Sequence, residues 1–91
     1  MHNNINISPF INADGKIIQL PAKRAKRLVL LAYLLSKFSC NTDYIENEVN
    51  AIIDEWHTFG NCCLLRRELI DNELLRRTPN GTRYWKENGL D

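Results

Sequence analysis

Most of the side chains here that can do chemistry on a partner are arginines. Arg66 and Arg67 are adjacent, Arg76 and Arg77 follow, and Arg83 lies just past an Asn80-Gly81 pair. A guanidinium is permanently charged and carries five donors in a planar fork, which suits it to phosphate and to the O6/N7 edge of guanine. A second basic cluster, Lys23, Arg24, Lys26 and Arg27, is joined by Lys37, with no acid among residues 20–37. Asp43, Glu46, Glu48, Asp54 and Glu55 then form an all-acidic stretch. The net charge is only +1, so the sum says little about a polyanionic partner. The segregation points instead to one basic and one acidic face.

Catalytic and metal constellations are sparse, and an enzyme or a bound cofactor is not expected. His57 has no Ser or Cys with an Asp arranged for nucleophilic chemistry, and no Gly-rich phosphate loop exists. His57 is expected to be a turn residue packing beside Trp56. A zinc site would gather Cys40, His57, Cys62 and Cys63, but their spacing lacks a C-x-x-C knuckle. Disulfide geometry fits poorly across one peptide bond, so Cys62-Cys63 and Cys40 read as reduced thiols of a cytoplasmic protein. Oxidant sensing by the vicinal pair would need an exposed, acidified thiolate; filling the core is the plainer role.

The elements that must position these groups follow from hydrophobic spacing. Residues 1–9 are mostly polar and expected to be flexible, and residues 10–88 should form one domain. Ala13-Asp14-Gly15 signals a turn, flanked by Phe10-Ile11 and by β-prone residues 16–20, so a short N-terminal hairpin is suggested. Pro21 suits the first turn of a first helix, expected to reach Phe38, with residues 28–35 apolar on every side. A second helix over residues 45–56 carries Ile45, Val49, Ile52, Ile53 and Trp56 on one stripe, preceded by a short strand at Tyr44. Gly60 marks a turn. A third helix over residues 61–72 places Cys62, Cys63, Leu65, Leu69 and Ile70 on one apolar arc. Arg66 falls inside that arc, whereas Leu64 and Arg67 fall outside it.

Beyond Leu74 the period shifts to two: residues 75–78 and 82–85 are β-prone, and the Asn80-Gly81 pair between them is a strong hairpin signal. Three helices followed by a C-terminal hairpin describe a mostly α fold with a small β-hairpin, a winged helix-turn-helix. At 91 residues, 44% of them hydrophobic, the chain suits one thin-cored domain, and its longest apolar run is far too short to span a bilayer.

The wording of residues 10–86 also resembles the bacterial domain-of-unknown-function family 2087, whose members are described as candidate transcriptional regulators. The matching words are Leu20-Pro21-Ala22-Lys23, Tyr44-x-Glu46-x-Glu48-Val49-Asn50, Trp56-His57-Thr58-Phe59, Leu65-Arg66-Arg67-Glu68-Leu69 and Leu75-x-Arg77-x-x-x-Gly81-x-x-Tyr84-Trp85. The resemblance implies a winged-helix regulator. Two departures stand out: Ile45 replaces a helix-capping Ser or Thr, and Asn61 replaces an aspartate that would also cap.

On this reading, double-stranded DNA is the expected partner, with no membrane. Helix 61–72 would enter the major groove and hairpin 74–86 would serve as wing. Asn61, Leu64 and Arg67 would line the exposed face, with Arg67 reading bases. Arg66 would be a structural ion paired with Glu46 and Glu48, since a charge among apolar neighbours needs a partner. Arg76 and Arg77 point to opposite sides of their strand, so at most one reaches a shared surface, and Arg76 is expected to be the one that contacts DNA. Arg83 would touch phosphate or face solvent. Tyr84 and Trp85 would pack in the core rather than stack on bases. Lys23, Arg24, Lys26 and Arg27 would either meet phosphate at a helix start or pair with the acids of helix two. The alternative function is a winged-helix-like protein-interaction or dimerisation module that does not touch DNA, a reading that the small net charge favours. A lone domain offers little contact area, so a homodimer or another regulator would be needed for affinity.

Overall fold

A computed structural model describes residues 7–86. Three helices, α1 (Arg24–Leu35), α2 (Glu46–Glu55) and α3 (Cys62–Asp71), precede two antiparallel strands, β1 (Leu75–Arg77) and β2 (Tyr84–Lys86). The expected order of three helices and a C-terminal hairpin is therefore present. Most of the segment expected to be flexible lies outside the described residues. Of its last three residues, Ile7 packs against the core and Ser8 opens a 3-10 turn that ends at Phe10.

The core is one cluster drawn from every element. Leu30, Leu31 and Leu34 of α1, Val49 and Ile53 of α2, and Leu65 and Leu69 of α3 are fully buried, with Leu75 and Tyr84 of the hairpin beneath them. The first helix starts later and ends earlier than its sequence suggests. Lys23 is the N-cap, without a side-chain cap. Pro21 stays outside the helix, and its carbonyl, with that of Ala22, accepts hydrogen bonds from the Arg27 guanidinium. Past Leu35 the chain continues only as tight turns to Phe38, and Ala32 is exposed, so α1 buries a stripe rather than its whole circumference.

Ile45 is also corrected: as N-cap of α2 it has extended backbone, stands off the stripe and is exposed. Isoleucine has no acceptor to offer, and half of the usual reciprocal cap is made by Glu48 alone, whose Oε1 accepts from the Ile45 amide at 2.9 Å. In α3, Leu65 and Leu69 fill the core as expected, whereas Cys63 is exposed and Cys62 and Ile70 are half-buried. Asn61 caps α3 through Oδ1, which accepts from the Leu64 amide at 3.2 Å.

Strand register pairs Leu75 with Lys86, Arg76 with Trp85 and Arg77 with Tyr84. The connection is longer than a two-residue Asn-Gly turn. The Gly81 amide donates to the Thr78 carbonyl and Gly81 alone takes positive φ (73°) in the loop, while the Asn80 side chain accepts from Thr78 and Thr82. Tyr44 extends this sheet as a single bridge to Tyr84, with reciprocal backbone bonds of 2.7 and 2.8 Å. The N-terminal turn is present too: Ile11 bridges Ile17, and Asn12 Oδ1 accepts from the Asp14 and Lys16 amides.

The exit from α3 stores strain. Glu73 takes φ of 59°, so that its amide reaches the Ile70 carbonyl and the Leu74 amide reaches that of Leu69. This pair of bonds normally closes on glycine, because a Cβ in the left-handed region costs energy. Glu73→Gly is therefore expected to stabilise the fold by about 1 kcal/mol, read as a rise in the midpoint of urea or thermal unfolding.

Candidate nucleic-acid interface

The helix pair α2–α3 is joined by a six-residue turn (56–61) spanned by one buried side chain. His57 Nδ1 lies 2.7 Å from the Ile53 carbonyl, and Nε2 accepts from the Asn61 amide at 2.9 Å. Both bonds are satisfied by the tautomer with its proton on Nδ1. One ring thus closes the end of α2 and the start of α3. Ile17 clamps the same turn from outside, its amide donating to Trp56 and its carbonyl accepting from Thr58. Phe59 packs edge-on against the imidazole at 4.7 Å. Sequence reasoning placed His57 in the turn but missed this role; its place just beyond the apolar stripe of α2 was the available signal.

With its start fixed, α3 turns its outer face to an open cleft of about 560 Å³. Asn61, Leu64 and Arg67 all line that cleft, as expected from helical phase. Arg76 is the strand arginine expected on this surface, but it is Arg77 of β1 that lines the cleft, because the Leu75 face of the strand is the one turned toward it. Arg77 lies on the Leu75 side of β1, and its guanidinium extends over Gly81. Arg76 faces the opposite side, across from Trp85.

Hydrogen bonding separates the arginines into two groups. Arg66, 20% exposed, pairs with Glu46 at 3.7 Å and donates to Asn50 Oδ1. Glu48, expected beside it, is occupied instead at the start of α2. The ion pair is thus with Glu46 alone, and Asn50 is a partner the sequence did not reveal. Glu46 also accepts from the Tyr84 hydroxyl at 3.4 Å, tying α2 to the hairpin. Arg27 pairs with Glu68 at 3.3 Å, linking α1 to α3. Arg83 pairs with Asp43 at 3.2 Å on the surface, both side chains more than half exposed, so this contact contributes little. By contrast, the side chains of Arg67, Arg77, Lys23, Arg24 and Lys26 make no hydrogen bond or ion pair among the described residues. Lys37 stands apart from the basic cluster, its ammonium over the rings of Trp56 (4.0 Å) and Tyr33 (4.6 Å).

The α1 cations border α3 on a different edge from the hairpin. Arg24, Arg27 and Leu28 meet Glu68 and Asn72 there. The exposed face of α3 therefore has a basic helix start along one side and Arg77 along the other. Two acids share the cleft region: Glu46, already engaged, and Asp71 at the last turn of α3.

Cys40, Cys62 and Cys63 are free thiols. Among the described residues no group of three or more His, Cys, Asp or Glu side chains is placed to hold a metal, and both His57 nitrogens are engaged. Burial pushes the Cys62 thiol up from its ordinary value, with the charges of Asp54 and Cys63 adding and Arg66 opposing. No helix of the described residues is long and apolar enough to cross a membrane.

Residues 16–86 match a family model described as "Uncharacterized protein conserved in bacteria (DUF2087)". No curated protein and no solved structure matches the chain.

Two outcomes follow from this geometry. Arg66→Ala is expected to lower stability by about 1–2 kcal/mol, through loss of the Asn50 bond and a half-exposed ion pair, while Arg67→Ala stays within about 0.5 kcal/mol of wild type in the same denaturation measurement. Iodoacetamide at mildly alkaline pH should alkylate Cys40 and Cys63 well before Cys62, since the thiolate is the reactive form. Peptide mass spectrometry reads the order, and denaturant should abolish it.

Proposed function

From a chain that belongs to the DUF2087 family of uncharacterized proteins conserved in bacteria, we propose a DNA-binding domain of the winged helix-turn-helix kind, acting in transcriptional control. The observation that carries this reading is the convergence of Arg67 and Arg77, both without partners among the described residues, on the open face of α3. Every other arginine on α1 or α3 that packs near the core, namely Arg27 and Arg66, is paired with a carboxylate. A helix with side chains measures about 10–12 Å across and fits the major groove, about 12 Å wide. In that pose Arg67 faces base edges, Arg77 faces a phosphate on the hairpin side, and Lys23, Arg24 and Lys26 face the backbone on the other side.

The net charge of +1 does not oppose this arrangement, because the binding charge is local. It does limit affinity. A single small module buries little surface on DNA, so a second copy or a second module is needed for tight, selective binding. Asp71, exposed in the same cleft, supports the second reading of a protein-interaction surface, since it would repel a phosphate placed near the end of α3.

Fluorescence anisotropy with a random-sequence duplex separates the two. DNA binding predicts association at micromolar protein in low salt, with affinity falling steeply as salt rises. Arg77→Ala should lower the slope of log K against log salt by about 0.9, the share of one phosphate contact, and Arg67→Ala should weaken binding with the fold intact. Absence of binding at low salt would leave the interaction module as the better account.

A further inference from the structure

Leu64 is not explained by an electrostatic interface. It is 36% exposed, a large apolar side chain in a cleft that also holds Asn61, Arg67 and Arg77, with the half-buried Ile70 and the exposed Cys63 as the other apolar lining of α3. Burial against phosphate gains nothing for such a side chain. The base edges of the major groove, however, display one apolar group, the C5-methyl of thymine, and cytosine methylated at C5 displays the same group in the same place.

The polar neighbours narrow the choice further. Asn61 Oδ1 accepts from the Leu64 amide at 3.2 Å, so this side chain is engaged in capping α3. A bidentate contact to adenine needs the amide free to turn its two halves to one base edge, and the cap on α3 holds the Asn61 amide in a fixed orientation. Arg67 keeps its whole fork, which matches the O6/N7 edge of guanine. Leu64 and Arg67 are three residues apart on α3, an axial rise of about 4.5 Å. Stacked bases of one strand are about 3.4 Å apart, so the two side chains fall on neighbouring base pairs.

We propose that α3 recognises a C5-methylated pyrimidine adjacent to a guanine, with Leu64 against the methyl group and Arg67 on the guanine edge. The inference rests on the DNA-binding reading above. Duplex DNA is favoured over an apolar protein surface as the occupant of this face because Leu64 is flanked by Arg67 and Arg77, two cations that form no ion pair among the described residues even though Asp71 lines the same cleft. Covering them with a neutral surface would strand both charges.

The test uses the full chain. Duplexes enriched from a random library by binding are resynthesised with each thymine in turn replaced by deoxyuridine, and each cytosine by 5-methylcytosine, then measured by anisotropy. Removing one methylene-sized group from a covered surface corresponds to about a fourfold change in affinity. The expected result is one position next to a guanine where uracil weakens binding, or 5-methylcytosine strengthens it, by about that factor. A uracil effect assigns the methyl to thymine and a 5-methylcytosine effect assigns it to methylated cytosine; either supports the proposal. Leu64→Ala should abolish the methyl effect by lowering affinity for the methyl-bearing duplex to that for its methyl-free counterpart, with the melting temperature unchanged. Binding that ignores the methyl everywhere, or a methyl effect undiminished in Leu64→Ala, overturns the proposal alone. Failure of every duplex to bind at low salt overturns it together with the reading on which it rests.

Discussion

The arrangement depends on the two hydrogen bonds of one imidazole. A helix leaves carbonyls unsatisfied at its end and amides unsatisfied at its start, and two helices meeting at a sharp turn bring both deficits close together. His57 meets them with a single rigid group, donating to the last turn of α2 and accepting from the first residue before α3. A flexible polar side chain could satisfy one end, but a ring fixes the distance between the two. The ring is buried, so water does not compete for either bond. The direction of α3, and with it the placement of Leu64 and Arg67, follows from that fixed span.

Much of the architecture was legible because it follows from period and punctuation. The stripe of α2, the arc of α3, the shift to alternation beyond Leu74 and the Asn80-Gly81 signal all correspond to elements present in the structure. Helical phase alone separated Arg66 from Arg67, and the structure keeps them separate. What could not be read was the outcome of competition among partners. Glu46 and Glu48 are equivalent in sequence as acids near Arg66, yet Glu48 is drawn to the start of α2 because it is the third residue of the helix and its carboxylate reaches back to the Ile45 amide. Arg27 belonged to a cluster of four similar cations, and only the approach of α1 to α3 singles it out for Glu68. The choice between Arg76 and Arg77 depended on which face of β1 meets α3, and a two-fold pattern fixes alternation without fixing its sign. The exposed Cys63 shows the limit of a broad apolar arc: its edge lies outside the contact.

The charge pattern changes meaning once partners are assigned. On the sequence, the basic and acidic stretches suggest two opposed faces. In the fold, some charges of each sign are joined across element boundaries, by Arg27–Glu68, Arg66–Glu46 and Arg83–Asp43. These contacts hold the helices and hairpin in register without a large contribution each. The cations left over are therefore more informative about a partner than the total count.

The single-residue bridges Ile17–His57 and Tyr44–Tyr84 each join points forty residues apart in the chain. Closing such loops costs entropy before any contact compensates it, so these links belong to the slow, non-local part of folding, whereas the helices form from neighbours. During synthesis Ile17 is exposed long before His57 exists to meet it. The turn between α2 and α3 thus acquires its outer clamp only when Ile17 is brought back against it, whereas the bonds of His57 that set the direction of α3 span four residues each and are available as soon as the turn itself exists.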